Sequence, residues 1–538
     1  MPKSVNKSAT TITILLGTVL VAFYTALNWR GDIDDAYIFF RYAQHIKDGY
    51  GYVFNIGHPP IEGTTSLTWT LLLVGFAVFS VPFTVATKIL GGLSVFAILA
   101  MLGVDLHRRA IPVPITVLAL VLLVFNPVFV SSIMMGLETG LYAAGVLALF
   151  IVSSQSYSEA EKGSHGLMLG GIGLLLFLTR PESIGILVLI GLGLVYIYLT
   201  TQTRSVLYPV ILWIVGIAVV SLWRWFTFGD FIPNSARAKS VLAFSTAFLW
   251  ILWPRVQAGW LYVTDLVVQL PVLFVLGTFG LLTQRRHSLG YIAAAILLVG
   301  GGTVLLNSGD WMPYSRLLTP YLPLVALLAG IGLNHLRARL QKQSAQMVFD
   351  MSTVLLALLV VSQSFWLVRD RTPFEFATWP SGQCYEYVGE VLHPNLTGQT
   401  VVASEAIGII GYTMLDIPIL DIFGLTEAEI ARHGVVPIET YTLGKHYYEF
   451  VMQQHPEIFL FHSQITNHIP LLSQWGYGEG YDTFNIRSPE RQCELIIGLE
   501  RTVSPMLQPI LEQHFEVEWV DVTTLEENPA ATWPFGKK

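Results

Sequence analysis

Acids and bases able to move a proton and to hold a phosphate stand at the ends of the apolar runs of this 538-residue chain. Asp34 and Asp35 follow the first run, in the stretch GDIDDAYIFFRYA. Glu62 lies in PPIEGTTSLTW, Glu138 in GLETG, and Arg180 and Glu182 in LTRPES. Asn234, Arg237 and Lys239 fall in GDFIPNSARAKS, and Asp310 and Arg316 in GDWMPYSR. A carboxylate can take a proton from an acceptor hydroxyl. Arginine and lysine can grip a phosphate and stabilise it as it leaves. Together these tasks make up sugar transfer from a phosphate, whose transition state is oxocarbenium-like and whose leaving group needs no general acid.

Each group also has a plainer reading. Asp34 and Asp35 suit the first turn of a helix over AYIFFRYAQHI, where carboxylates favour the dipole. Arg180 and Glu182 could form a local ion pair at a helix boundary, and Asp310 and Arg316 could pair across a turn. Tyr37, Phe39, Phe40 and Tyr42 read as aromatics of an interfacial belt. Ionisable groups near a bilayer are costly unless paired or placed in a watery cavity. Their gathering on one side of a membrane would favour a shared pocket over a set of separate helix ends.

The elements that must position them are membrane helices. The chain is 53% hydrophobic and 12% charged, with mean hydropathy +0.58, against about 25% charged residues in soluble domains. Many apolar runs reach the roughly 20 residues that cross a bilayer as helix. The net charge of −7 gives no reason to expect a nucleic-acid partner. The first run, to about Leu27, follows Lys3 and Lys7 and reads as an uncleaved span with a cytoplasmic N-terminus.

Topology follows from the basic joints. Arg108–Arg109, Lys162, Arg204, Arg285–Arg286 and HLRARLQKQ belong in the cytoplasm by the positive-inside rule. Residues 135–140, 179–182, 227–260 and 307–316 then lie outside, as does the acidic loop after the first span. Only one net crossing separates that loop from Arg108, so the short run 66–81, ending at Pro82, reads as interfacial. The expected architecture is an all-α polytopic bundle over residues 1–368, with about eleven transmembrane helices, in the cell membrane. Residues 369–538 read as an extracytoplasmic mixed α/β domain, with strands at QTVVAS, EIFLFH and FEVEWVDV and a helix at HYYEFVMQQH. Cys384 and Cys493 both fall in it, as a disulfide or as two buried thiols. All the candidate acids and bases come to the outer face. Nucleotide sugars are cytoplasmic, so an outward-facing site would draw its sugar from a lipid phosphate.

The stretch DDAYIFFRYAQHIKDGYGYVFNIGHPPIEGTTSLTW resembles the first external loop of the C-class (GT-C) membrane glycosyltransferases related to the mycobacterial terminal arabinofuranosyltransferase. More distant relatives are the protein mannosyltransferases and the lipid A aminoarabinose transferase. The likeness continues in order through GLETGLYAA, LTRPES, FGDFIPNSARAKS, GDWMPYSRLLTPYLPL and LDIFGLTEAEIARH. It implies a polyprenyl-phosphate-linked sugar donor, an inverting single displacement and a catalytic aspartate in the first external loop, here Asp34 or Asp35. Charge suggests Arg180, Lys239 and Arg316 for the phosphate, and Glu62 and Glu138 for shaping the pocket. Glu182, Asn234 and Asp310 are further candidates for binding substrate. The acceptor would be a glycan, a lipid or a protein. No cluster of His or Cys demands a metal, and none is expected to be required.

Readings from other classes remain. A transporter or flippase of lipid-linked sugars should place charges at mid-membrane, where Lys88 is the main exception to otherwise clean spans. A polysaccharide polymerase or ligase would not be expected to carry the acid pair after the first span. A scaffold built on the external domain leaves the pooled charges unexplained.

Overall fold

The computed structural model describes residues 17, 32–158, 164–239, 248–310, 312, 315–370, 380–435, 445–462, 468–491 and 493–522. The expected first span and Lys162 lie outside the described residues. Seven of the described helices are long and apolar enough to cross a membrane: Phe83–Arg108, Thr139–Tyr157, Pro181–Thr201, Arg204–Phe228, Ser288–Leu306, Thr319–Ala338 and Gln343–Gln363. Two broken pairs, Val113–Val124 with Val128–Met134 and Trp253–Gln269 with Pro271–Thr283, raise the number to nine if each pair is one span. The described residues thus hold seven to nine candidate crossings, against about eleven expected for the whole chain. Leu67–Val78, with 12 residues, rises only about 18 Å and is too short to span. His165–Thr179 is also shorter than the spans.

Proline breaks the apolar run 261–283. It is not one span. A helix over Phe248–Gln269 ends and another begins at Pro271, bent 100° from it. Proline has no N–H to continue the preceding helix and keeps the residue before it out of the helical region. The expected external loop 227–260 is correspondingly shorter, because Asn234–Lys239 is helical and the next helix starts by Phe248. A smaller break, of 55°, falls where Asn126 caps a new turn by accepting the N–H of Val128 at 2.8 Å.

Lys88 is not at the middle of its helix. It sits in the second turn of Phe83–Arg108 and pairs with Asp32 at 2.7 Å, both side chains buried. It also donates to Met134 O at 2.5 Å. The third acid of the opening stretch therefore neutralises the one cation that broke the pattern.

Outside the bundle, residues 380–522 hold a six-stranded sheet in the order β2-β1-β3-β5-β4-β6. The strands are β1 (Val402–Ser404), β2 (Ile419–Asp421), β3 (Ile458–His462), β4 (Tyr481–Ser488), β5 (Cys493–Glu500) and β6 (Glu516–Trp519). β1 pairs in parallel with β2 and β3, and β5, β4 and β6 add antiparallel. The helix Ile407–Thr413 crosses between β1 and β2. The helix expected over 446–455 is present as Tyr448–Gln453. Cys384 and Cys493 form a disulfide that ties the helix Pro380–Leu392 to β5.

The helix Asp34–Lys47 joins the two parts. It carries acids in its first turn and His45 and Lys47 in its last, matching the dipole. Its aromatics are not a lipid-facing belt. Phe39, Phe40 and Tyr42 are buried, Phe40 stacks on Phe83 of the bundle, and Tyr37 meets Tyr412 of the outer domain. Arg41 is fully buried between the same parts. It donates to the carbonyls of Phe54, Gly411, Met414 and Ile417 and to Asn55 Oδ1. A buried guanidinium needs this many acceptors to be tolerated. The outer domain is therefore latched to the bundle by hydrogen bonds as well as by apolar contact.

Candidate functional site

Five separate segments deliver charged side chains to one cavity of about 440 Å³. Asp35 comes from the first turn of Asp34–Lys47, and Glu138 from the turn before Thr139–Tyr157. Arg180 and Glu182 come from the turn before the helix Ile184–Thr201. Lys239 closes the short helix Asn234–Lys239, and Asp310 and Arg316 come from the loop before Thr319–Ala338. Arg237 lines the cavity as well. Volumes of about 300–1,000 Å³ are usual for small-molecule sites.

Local backbone geometry aims these groups. Gly136, at φ 91°, holds the GLETG turn against Asp32, and a Cβ there would meet Asp32 Oδ1 at 2.6 Å. In the loop before Thr319, Ser308 and Ser315 take left-handed conformations at φ 65° and 48°. Such positions are uncommon for non-glycine residues and cluster at functional sites. They bring Asp310 and Arg316 into direct hydrogen-bonded contact.

The charges form a graded network. Arg180 is held by Glu182 at 2.6 Å and faces Glu138 at 3.8 Å. Its guanidinium lies 5.5 Å from the centre of the Tyr142 ring. Arg316 is anchored by Asp310, and Arg237 turns to Asp230 at 2.6 Å. Asp35 is different. Its Oδ2 lies 3.9 Å from both Lys239 Nζ and Arg316 Nη2. These contacts are too long for hydrogen bonds. Among the described residues Asp35 makes no tighter ion pair. The carboxylate and the two cations thus keep hydrogen-bonding capacity towards the cavity that all three line.

Asp34, Glu62 and Asn234 lie elsewhere. Consecutive residues of a helix point about 100° apart, so Asp34 cannot share Asp35's outlook. Its carboxylate accepts the N–H of Gly408 at 3.0 Å and of Ile409 at 2.8 Å, at the start of Ile407–Thr413. Burial pushes this carboxyl up to about 7. Glu62 is locked in a bidentate pair with Arg224 at 2.8 and 3.0 Å, both buried. The Asn234 amide donates to the carbonyls of Gly424 and Leu425 at 2.8 and 3.0 Å. Its backbone N–H donates to Glu62 O at 2.9 Å. These three are placed to hold walls together.

Sequence reasoning did not single out Arg41, Arg224 or the partnership of Asp32 with Lys88. Arg224 sits three residues inside the end of an apolar run, a signal in itself for a partner. Arg41 offered only its position within an aromatic run. Among the described residues no three His, Cys, Asp or Glu side chains gather in a way that could hold a metal ion.

A family described as a domain of unknown function, DUF8728, matches residues 377–504, the greater part of the outer domain. No curated protein matches the chain by sequence. Two solved structures match over most of its length. The oligosaccharyltransferase of Archaeoglobus fulgidus, determined with zinc and sulfate, aligns with a TM-score of 0.54 at 13% identity, over 89% of this chain and 72% of its own. ArnT from Cupriavidus metallidurans, bound to undecaprenyl phosphate, aligns with a TM-score of 0.52 at 10% identity, over 92% of this chain and 98% of its own. The likeness is one of fold: the chain shares the overall fold of these two proteins.

Proposed function

We propose that the chain transfers a sugar from a polyprenyl phosphate to an acceptor hydroxyl on the outer face of the membrane, with inversion, and that Asp35 is the general base. The acceptor O–H proton passes to Asp35. The acceptor oxygen forms a bond to the anomeric carbon as the bond from that carbon to the phosphate oxygen breaks. Polyprenyl phosphate leaves with the electron pair, and Lys239, Arg316 and Arg180 stabilise its added charge. Glu138, Glu182 and Asp310 orient the arginines. A preset array of cations needs little reorganisation as charge develops on the leaving group.

The observation that carries this reading is the position of Asp35, 3.9 Å from both Lys239 and Arg316 within a cavity. A base and a phosphate grip stand side by side on the lining of that cavity. The ArnT neighbour was determined with undecaprenyl phosphate, which supports a lipid phosphate as the leaving group. The extracytoplasmic side is supported by the disulfide, since such bonds persist in oxidising compartments.

The test is Asp35→Asn in the purified full-length protein, assayed with polyprenyl-phosphate sugars. Turnover should drop about 10²–10⁴-fold, as on removal of a general base, while undecaprenyl phosphate still binds. Wild-type turnover in this variant would falsify the assignment. Mass spectrometry of envelope glycans from a strain lacking the protein identifies the sugar and the acceptor together.

A further inference from the structure

A second cavity, of about 450 Å³, stands against the back of the first. It lies between the loop around His58–Glu62, the segment Phe228–Asn234 and the outer domain. The wall between the two cavities is one chain thick. Glu62, Asn234 and Thr426 face the second cavity, whereas their neighbours Gly63, Ser235 and Leu425 face the first. The bonds of Asn234 to Glu62, Gly424 and Leu425 stitch this wall. Ile232 lines both cavities and is 51% exposed, so the partition has an open rim there.

We infer that this outer cleft binds a saccharide, the non-reducing end of a glycan acceptor that passes over Ile232 towards Asp35. Its assignment as an acceptor site rests on the proposed transferase activity; its capacity to hold a saccharide does not. The lining mixes rings with charges of both signs. Phe228, Phe450 and the Pro59–Pro60 pair offer flat apolar faces, which suit the C–H faces of sugar rings. Asp230, Glu427 and Arg432 offer acceptors and donors for hydroxyl groups. Arg432 lies 4.0 Å from Asp230, too far for a hydrogen bond between them. An isoprenoid tail would not be matched to such charges. A peptide adding to the edge strand β2 is opposed at Ile419, whose backbone groups are already taken by Asn55. The Asn55 side chain donates to Ile419 O at 2.9 Å and accepts Ile419 N–H at 3.0 Å.

The experiment uses full-length protein in detergent and an array of hexose- and pentose-containing oligosaccharides, with undecaprenyl phosphate binding as a separate measurement. The wild type should bind at least one saccharide class. Phe450→Ala and Arg432→Ala should each weaken that binding about tenfold, worth about 1.4 kcal/mol, and leave undecaprenyl phosphate binding intact, which also shows that the variants are folded. Asp35→Asn should bind saccharide as the wild type does. No saccharide bound by the wild type, or binding unchanged in both cleft variants, overturns the inference. Saccharide binding that depends on Phe450 and Arg432, alongside full turnover in Asp35→Asn, supports the cleft and removes the catalytic reading instead.

Discussion

The Asp34 carboxylate accepts the backbone N–H of Gly408 at 3.0 Å, although 374 residues separate them in the chain. The approach is close enough that a Cβ on Gly408 would lie 1.8 Å from Asp34 O. Glycine is required there by contact rather than by conformation. Two substitutions should therefore disturb the same junction from its two sides. Asp34→Ala leaves two buried N–H groups without their acceptor, at a cost of about 1–3 kcal/mol each. Gly408→Ala forces the outer domain away from the bundle. Both should lower the melting temperature and raise protease sensitivity near residues 404–413. Unchanged melting in both variants would show that the junction contributes nothing to stability.

The same junction sets a pH dependence. Burial pushes Asp34 up to about 7, Glu405 up to about 8 and Asp421 up to about 6. Each is raised above the ordinary carboxylate range, so the folded state holds its protons after the unfolded chain has released them. Stability then falls as pH rises wherever the folded state binds more protons. The window runs from about pH 4, where unfolded carboxyls ionise, to about pH 8. Melting temperature should fall across it. Asp34→Asn imitates the protonated acid and should flatten the lower part of the decline, and Glu405→Gln the upper part. A wild-type profile that is level or rising from pH 5 to 8 contradicts this account.

Glu62 and Arg224 are 162 residues apart and buried together. Removing one partner of such a pair strands the other charge and costs about 3–5 kcal/mol, whereas replacing both with apolar groups can be nearly neutral. Arg224→Ala should severely reduce the yield of folded protein. Glu62→Leu combined with Arg224→Met should recover most of it. If the double variant is no better than the single one, the pair serves something beyond mutual neutralisation. The measurement is the monodisperse fraction after detergent extraction, followed by thermal melting.

The disulfide closes a long loop, since Cys384 and Cys493 are 109 positions apart. The chain-entropy model gives about 4.7 kcal/mol for a loop of roughly 100 residues. Reductant should shift gel mobility and lower the melting temperature of the outer domain, and Cys384→Ala with Cys493→Ala should show the lower melting temperature without reductant. Equal melting temperatures with and without reductant would mean that apolar packing alone carries this domain.

Much of the site's location was legible because it follows from a rule that needs no tertiary structure. The positive-inside rule groups Asp35, Glu138, Arg180, Lys239, Asp310 and Arg316 opposite the basic joints, and the structure gathers these six at one cavity. The choice between Asp34 and Asp35 was not legible, because it depends on which helix face meets Gly408, a contact across most of the chain. Glu62 looked like a site residue for the same reason that Arg224 escaped notice: each makes sense only beside the other. Phe39, Phe40 and Tyr42 carry the composition of a membrane belt, and composition does not tell a lipid surface from a domain interface. The bend after Leu270 was readable from Pro271, whose missing N–H outranks the hydrophobic run around it.

Lys239 offers the cleanest test of the phosphate grip. Among the described residues its only ion pair is the 3.9 Å contact with Asp35, so its loss strands no tightly held partner. Arg316→Ala, by contrast, leaves the buried Asp310 with no other ion-pair partner among the described residues, and a drop in binding there mixes local collapse with loss of contact. Charge-assisted hydrogen bonds contribute about 1.5–3 kcal/mol. Lys239→Ala should therefore weaken undecaprenyl phosphate binding by about ten- to a hundredfold with no change in melting temperature. Lys239→Arg keeps the charge and should retain most of the affinity, which separates a grip on phosphate from simple packing. If Lys239→Ala binds undecaprenyl phosphate as tightly as the wild type, the cation beside Asp35 acts on the carboxylate rather than on the leaving group. The defect would then surface in the pH profile of turnover and not in donor affinity.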